Sequence, residues 1–283
     1  MKYLEAKFTL SPSTEMNGDI LKALAGDAGF ESFTDIPGGF LAYIQEKDYN
    51  SHNVEATLHA FPLEFTYTYS VAPAPDKDWN ETWEKEGFEP VCIGHHQEII
   101  IHDTLHPTDG TAEYDICINP QLAFGTGTHE TTGMLLELLL HEDFKGKTVL
   151  DMGCGTGILG IFCHLKGAVA VTAIDIDEWS VGNATANARL NGIRSGFTTL
   201  QGDADSLKGT ENYDTAIANI NRNILIRDMP RYAAAMKPHG ASLFLSGFYA
   251  EDIPQLLREA APLGFTETER KECHNWACLK LER

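Results

Sequence analysis

A chain of 283 residues, 43% hydrophobic and 22% charged, has the composition of a soluble globular protein and is long enough for one large domain or an ordinary domain beside a small one. It holds no apolar run near the ~18 residues a membrane span needs, and its opening, MKYLEAKFTLSPSTE, lacks the apolar core and cleavage site of a secretory signal, so the cytoplasm is expected. A formal net charge of −20, from 41 acidic and 21 basic residues, repels free nucleic acid and favours a cationic partner, although an acidic surface also serves solubility alone.

Residues 1–72 read as a small domain. YLEAKFTL alternates as a strand; TEMNGDILKALAGDAGF places Ile20, Leu21 and Leu24 at helical spacing, with Ser13 or Thr14 as N-cap. SFTDIPGGFLAYIQ predicts a hairpin around Pro37-Gly38-Gly39, SHNVEATLHAF a second helix and LEFTYTYSVA a last strand. The order βαββαβ is that of a ferredoxin-like α+β domain. Its default roles are recognition and packing, since it carries no nucleophile constellation. Residues 73–90, with PAPDKDWNETWEKEG, predict a linker and a short helix whose Trp79 and Trp83 share one face.

From 91 to 283, strands and helices alternate. TVLDMG, AVTAIDI, GFTTLQ, DTAIANI, GASLFLSGF, GFTETERKE and NWACLKLE read as strands, with helices such as GILGIFCHLKG, WSVGNATANARLNG and RNILIRDMPRYAAAMK between them. The pattern predicts an α/β fold with an open, mainly parallel sheet, whose last two strands form a hairpin with an antiparallel edge strand. The six cysteines show no CxxC pair and no scaffold spacing, so no metal site is expected; CHNWAC reads as a strand with two half-buried thiols.

VLDMGCGTGILGI places a glycine turn at the carboxyl end of a parallel strand, where open α/β sheets bind ligands. Gly155, Gly157 and Gly160 match GxGxxG, which leaves a dinucleotide open. Asp151, just before the turn, weighs against it: a carboxylate there repels a pyrophosphate and attracts a ligand bearing an ammonium and a sulfonium, such as S-adenosylmethionine. Asp175 ends the next strand and is placed to accept from ribose hydroxyls, a contact that suits either ligand. Asp177 reads as the N-cap of the following helix. Asp203 is placed either to accept from an adenine amine or to hold its own turn, and Asn219, at the end of the fourth strand, faces the same crevice.

Together DWNETW, NPQLAFGTGTHETT, LDMGCGTGILGI, AIDID, IANI and LSGFYAEDIPQL resemble the PrmA family, bacterial methyltransferases of large-subunit ribosomal protein eleven, over essentially the whole chain. The resemblance implies a class I, Rossmann-like methyltransferase domain using S-adenosylmethionine on amines of that basic protein, lysine side chains or the N-terminal α-amine, with the front domain recognising it. It puts cofactor contacts on Thr132, Gly153, Asp175 and Asn219, beside Asp151, Gly155 and Asp203, with the Phe124–Thr128 loop closing over the methionine end. Thr128 or Thr131 is also placed to cap the helix TTGMLLELLL. Asn219-Ile220-Asn221-Arg222 stands where amide and adenine-amine methyltransferases carry Asn/Asp-Pro-Pro-aromatic, which argues against glutamine or nucleobase substrates. No residue is assigned as general base; His129 is better explained by orientation beside a helix cap than as a base.

Overall fold

The computed structural model describes residues 3–58, 65–74, 87–119 and 129–283. The chain divides into two compact units, Met1–Asp78 and Trp79–Arg283. The helix expected around Trp79 and Trp83 lies outside the described residues.

The first unit runs β1 (Tyr3–Ser11), α1 (Glu15–Asp27), β2 (Ser32–Ile36), β3 (Gly39–Gln45), α2 (Ser51–Leu58) and β4 (Thr66–Pro73). Its sheet has the order β2-β3-β1-β4, every pair antiparallel, as the βαββαβ order requires. Side chains alternate along β1, with Ala6, Phe8 and Leu10 buried while Lys7, Thr9 and Ser11 are exposed. Leu21 and Ala25 of α1 and Val54 and Leu58 of α2 complete the core. Of the two candidate caps for α1, Thr14 is the one used: its hydroxyl accepts from the Asn17 amide at 3.3 Å. Gly39 is forced by packing, because a Cβ there would sit 1.9 Å from the Phe8 carbonyl oxygen.

In the second unit the long alternating elements come as read: α3 (Glu130–Leu140), β8 (Thr148–Met152), α4 (Ile158–Leu165), β9 (Ala170–Asp175), α5 (Glu178–Leu190), β10 (Phe197–Gln201), β11 (Thr215–Asn219), α6 (Arg222–Ala235), β12 (Ser242–Tyr249), α7 (Ile253–Ala260), β13 (Thr266–Cys273) and β14 (Trp276–Glu282). The seven-stranded sheet has the order β10-β9-β8-β11-β12-β14-β13. Its first five strands are mutually parallel, and β14 lies antiparallel between β12 and β13. CHNWAC is therefore not one strand: His274 and Asn275, both at positive φ, turn the hairpin, and Cys278 alone of its two thiols is buried. Period-two alternation sends Val149, Val171, Ile217 and Phe244 toward α3 and α4, and Leu150, Ala216, Ala218, Leu243 and Leu245 toward α6 and α7. Both faces are thus covered, as a parallel sheet needs. Among the described residues no helix is long and apolar enough to cross a membrane.

Three short strands were not anticipated: β5 (Val91–Ile93), β6 (Ile99–His102) and β7 (Tyr114–Cys117) form a separate sheet ahead of α3. At three or four residues each they are too short to show a period. Their Ile93, Ile99, Ile101 and Ile116 are buried in the core, and just after β6 Asp103, 3% exposed, ties the approach to β5 to the turn that follows: its carboxylate accepts from the amides of Phe88 (2.6 Å), Leu105 (2.8 Å) and His106 (2.7 Å). Burial pushes this carboxyl up, but the Phe88 and His106 amides, the His106 ring and the Leu105 amide outweigh that and hold it below the usual range. Asp103→Ala strands those donors and is expected to destabilise the protein by about 3–5 kcal/mol in urea unfolding; a loss under about 1 kcal/mol would show the carboxylate to be dispensable.

Candidate functional site

The chain goes from β8 outward through β9 to β10 and then returns to β11 on the other side of β8, so β8 and β11 flank the point where strand order reverses. Such a reversal opens a crevice at the carboxyl ends of the strands. Met152 and Asn219 end those two strands, and the loops that follow meet there. Gly153, Gly155 and Gly157 have φ of +67°, +53° and +80°, conformations that strain any residue with a side chain. Gly153 is exposed toward the crevice, and a Cβ on it would sit 2.5 Å from Ile220 Cγ2. Gly160 is required on the buried side, where a Cβ would lie 2.9 Å from Val171 Cγ1.

The loop is clamped by carboxylates. Asp175 Oδ2 accepts from the Gly155 amide at 2.9 Å, and its Oδ1 accepts from the Asp177 amide at 3.0 Å. Asp151 is 1% exposed and turned under the loop, where its Oδ2 accepts from the Gly160 amide at 2.9 Å. Burial pushes the Asp151 carboxyl up to about 7; the Gly160 amide opposes this, and the negative Asp175 nearby adds to it. Beside Asp175, Ile176 stands 72% exposed, an apolar side chain at the strand end that the sequence reading passed over. Asp177 caps α5, its side chain accepting from the Trp179 amide at 2.9 Å. Asp203 is exposed and caps its own turn through the Asp205 amide at 2.9 Å, the second of the two roles considered for it.

Across the crevice the Asn219 amide donates to Thr132 Oγ1 at 3.3 Å, which brings together two residues 87 positions apart. Thr132 sits in the first turn of α3. Thr128, like Phe124, lies outside the described residues, and Thr131 is helical and buried. His129 takes the extended conformation instead, and its Nδ1 accepts from the Thr131 amide at 3.3 Å. Its ring meets Trp276 edge-on at 5.1 Å, and Trp276 in turn packs on Tyr249 at 4.5 Å. This aromatic wall ends the row of strand termini beyond Asn219. Sequence held a signal for it only in retrospect: Tyr249 and Trp276 are in register across β12 and β14.

A family model described as ribosomal protein L11 methyltransferase (PrmA) matches residues 30–283. A Bacteroides fragilis protein named ribosomal protein L11 methyltransferase is 50% identical over 282 residues, covering 99% of each chain. A Porphyromonas gingivalis protein of the same name is 43% identical over 287 residues, covering 99% of this chain and 98% of that one. Among solved structures, the ribosomal protein L11 methylase of Lactobacillus delbrueckii subsp. bulgaricus is similar with a TM-score of 0.62 and 27% identity, over 69% of this chain and 99% of that chain. With a mainly parallel sheet, a glycine loop at the switch point and this match across both units, the chain belongs to the ribosomal protein L11 methyltransferase (PrmA) family.

Proposed function

We propose that the protein transfers methyl groups from S-adenosylmethionine to amines of large-subunit ribosomal protein eleven, lysine side chains or the N-terminal α-amine. The observation that carries the cofactor reading is the pair of carboxylates, Asp151 and Asp175, around a glycine loop that exposes backbone to the crevice. Asp151 lies under the loop rather than in the crevice, so it acts through the field it adds to that of Asp175: this field repels a pyrophosphate and attracts the ammonium and sulfonium of S-adenosylmethionine. Asp175 has lone pairs left after its two amide contacts and accepts from ribose hydroxyls. Gly153 and Gly155 permit close backbone approach, Ile176 offers an apolar face to the adenine, and Asn219 with Thr132 bounds the methionine end. Asp203 holds its own turn through one oxygen and has the other for the adenine amine, and the Phe124–Thr128 segment is assigned to cover the methionine end.

The bound cofactor supplies an activated methyl on a neutral leaving group. The nucleophile must be an uncharged amine, and a lysine of pKa about 10.4 is uncharged only about once in 2,500 molecules at pH 7. A crevice walled by Trp276, Tyr249 and Ile220 disfavours the ammonium and so assists its deprotonation. Alignment of the amine lone pair by Asn219 then supplies much of the acceleration, and no side chain is assigned as general base. The surplus of acidic residues suits a basic protein substrate, and the first unit is assigned its recognition.

The test is transfer of radiolabelled methyl to ribosomal proteins from cells lacking the enzyme, with products identified by mass. Label on ribosomal protein eleven is expected, while label on another protein only, or none despite cofactor binding, would overturn the substrate assignment. Removing residues 1–72 is expected to abolish that labelling and leave cofactor affinity within about twofold; retained labelling would take recognition away from the first unit.

A further inference from the structure

The carbonyl of Thr156 sits between Gly155 and Gly157, both left-handed. It is reached from α5. Asn183, Asn187 and Asn191 recur every four residues along that helix and share one face. Their amides treat the end of β7 and the residues after it as a neighbouring strand would. Asn191 accepts from the Cys117 amide at 2.9 Å and donates to the Cys117 carbonyl at 2.7 Å. Asn187 accepts from the Asn119 amide at 3.0 Å, and Asn183 donates to the Asn119 carbonyl at 2.7 Å. Asn187 alone also turns the other way: its amide donates to the Thr156 carbonyl at 3.0 Å and to Asn183 Oδ1 at 3.2 Å.

We propose that Asn187 is a positioning residue for the glycine loop: one buried amide joins the Asn119 segment to the Thr156 carbonyl and thereby sets the loop geometry that fixes cofactor affinity. The inference rests on the reading that this loop holds S-adenosylmethionine. Asn187 is fully buried and its oxygen and both amide hydrogens are engaged, so substitution has little latitude. Aspartate keeps the acceptor and loses both donors, and leucine keeps the volume and loses everything polar. Asn191 is the internal control, because it grips Cys117 and the Asn187 backbone carbonyl and does not touch the loop or the Asn187 side chain.

The experiment compares Asn187→Leu, Asn187→Asp and Asn191→Leu in the full chain by thermal unfolding, by calorimetry with S-adenosylhomocysteine, and by amide exchange of residues 155–158 without ligand. All three variants are expected to lower the unfolding midpoint. Only the two Asn187 variants should weaken binding, by about tenfold, and speed loop exchange by a similar factor. Asn191→Leu should leave both within about twofold. If affinity and loop exchange instead follow the loss of midpoint equally at both positions, the ladder is a strut and the proposal fails; wild-type behaviour of Asn187→Asp would also overturn it. Should Asn187→Leu not fold, Asn187→Ser, which keeps one donor, takes its place with the same expectations at reduced size. A wild-type protein that takes up no S-adenosylhomocysteine would defeat the cofactor reading, and loop exchange alone would then decide the role of Asn187.

Discussion

Gly153→Val is expected to yield a folded protein that no longer binds S-adenosylmethionine. Two independent costs fall on the same atom. At φ +67° a β-branched residue is held in the left-handed region, at roughly 1–2 kcal/mol. Its Cβ would also lie 2.5 Å from Ile220 Cγ2, an overlap that typically adds 1–3 kcal/mol. Ile220 cannot simply withdraw, because its backbone is pressed against Gly247, where a Cβ would meet the Ile220 carbonyl oxygen at 2.6 Å. The switch-point loops therefore have to part, and they part where backbone must approach the ligand. Affinity should fall more than about 100-fold, while unfolding free energy drops by about 2–4 kcal/mol. Gly153→Ala combined with Ile220→Ala separates the two causes: the overlap is gone, the backbone strain stays, and affinity should recover in part. Ordinary turnover by Gly153→Val would remove this glycine from the site, and a double variant no better than Gly153→Ala would show that Ile220 is not the obstacle.

The parts of this architecture that are legible in sequence are those whose signal is periodic or local. Val149-Leu150, Ala216 to Ala218 and Leu243 to Leu245 are apolar stretches in segments bounded by turns, and the helices between them dictate a parallel sheet. Asp177 declares itself by position, one residue ahead of a helix. Asp203 is undecided in sequence, because an aspartate after a strand is able to hold a turn, a ligand or both, and the structure shows one of its oxygens on the turn. Other features depend on contacts between distant segments and leave no trace in one sequence. Nothing near Asn187 announces that its amide will pair with Asn119, 68 residues earlier. The approach to β5 is tied to the turn after β6 by the buried Asp103, whose partners at Phe88, Leu105 and His106 no local pattern announces. The capping role of His129 was hidden by two threonines with better intrinsic capping chemistry, because the helix starts at Glu130 and so puts Thr131 inside it.

Asp151→Asn is expected to make the protein more stable and less able to bind its cofactor. In the folded protein this carboxyl titrates at about 7, whereas an unfolded aspartate titrates near 3.9. Below about pH 4 it is protonated in both states and its burial has no charge cost. Between about pH 4 and 7 the folded protein retains a proton that the unfolded chain has released, so this group makes stability fall as pH rises. Above about 7 it is charged in both states and the full penalty, on the order of 4 kcal/mol, is in force. Asparagine carries no charge at any pH and still offers an oxygen to the Gly160 amide, so its advantage over the native residue should be greatest above pH 7 and vanish toward pH 4. Cofactor affinity should move oppositely, since the cation loses the carboxylate whose charge it offsets; a fall of at least about tenfold at pH 8 is expected. In the native protein below pH 7 the same coupling should appear as a proton released on binding, read by calorimetry in buffers of different ionisation enthalpy. Parallel stability curves for the two proteins from pH 4 to 8 would mean that the charge is already compensated in the free protein. If affinity also held, Asp151 would be a structural clamp on α4 and the preference for a cationic ligand would have to arise from Asp175 and the loop itself.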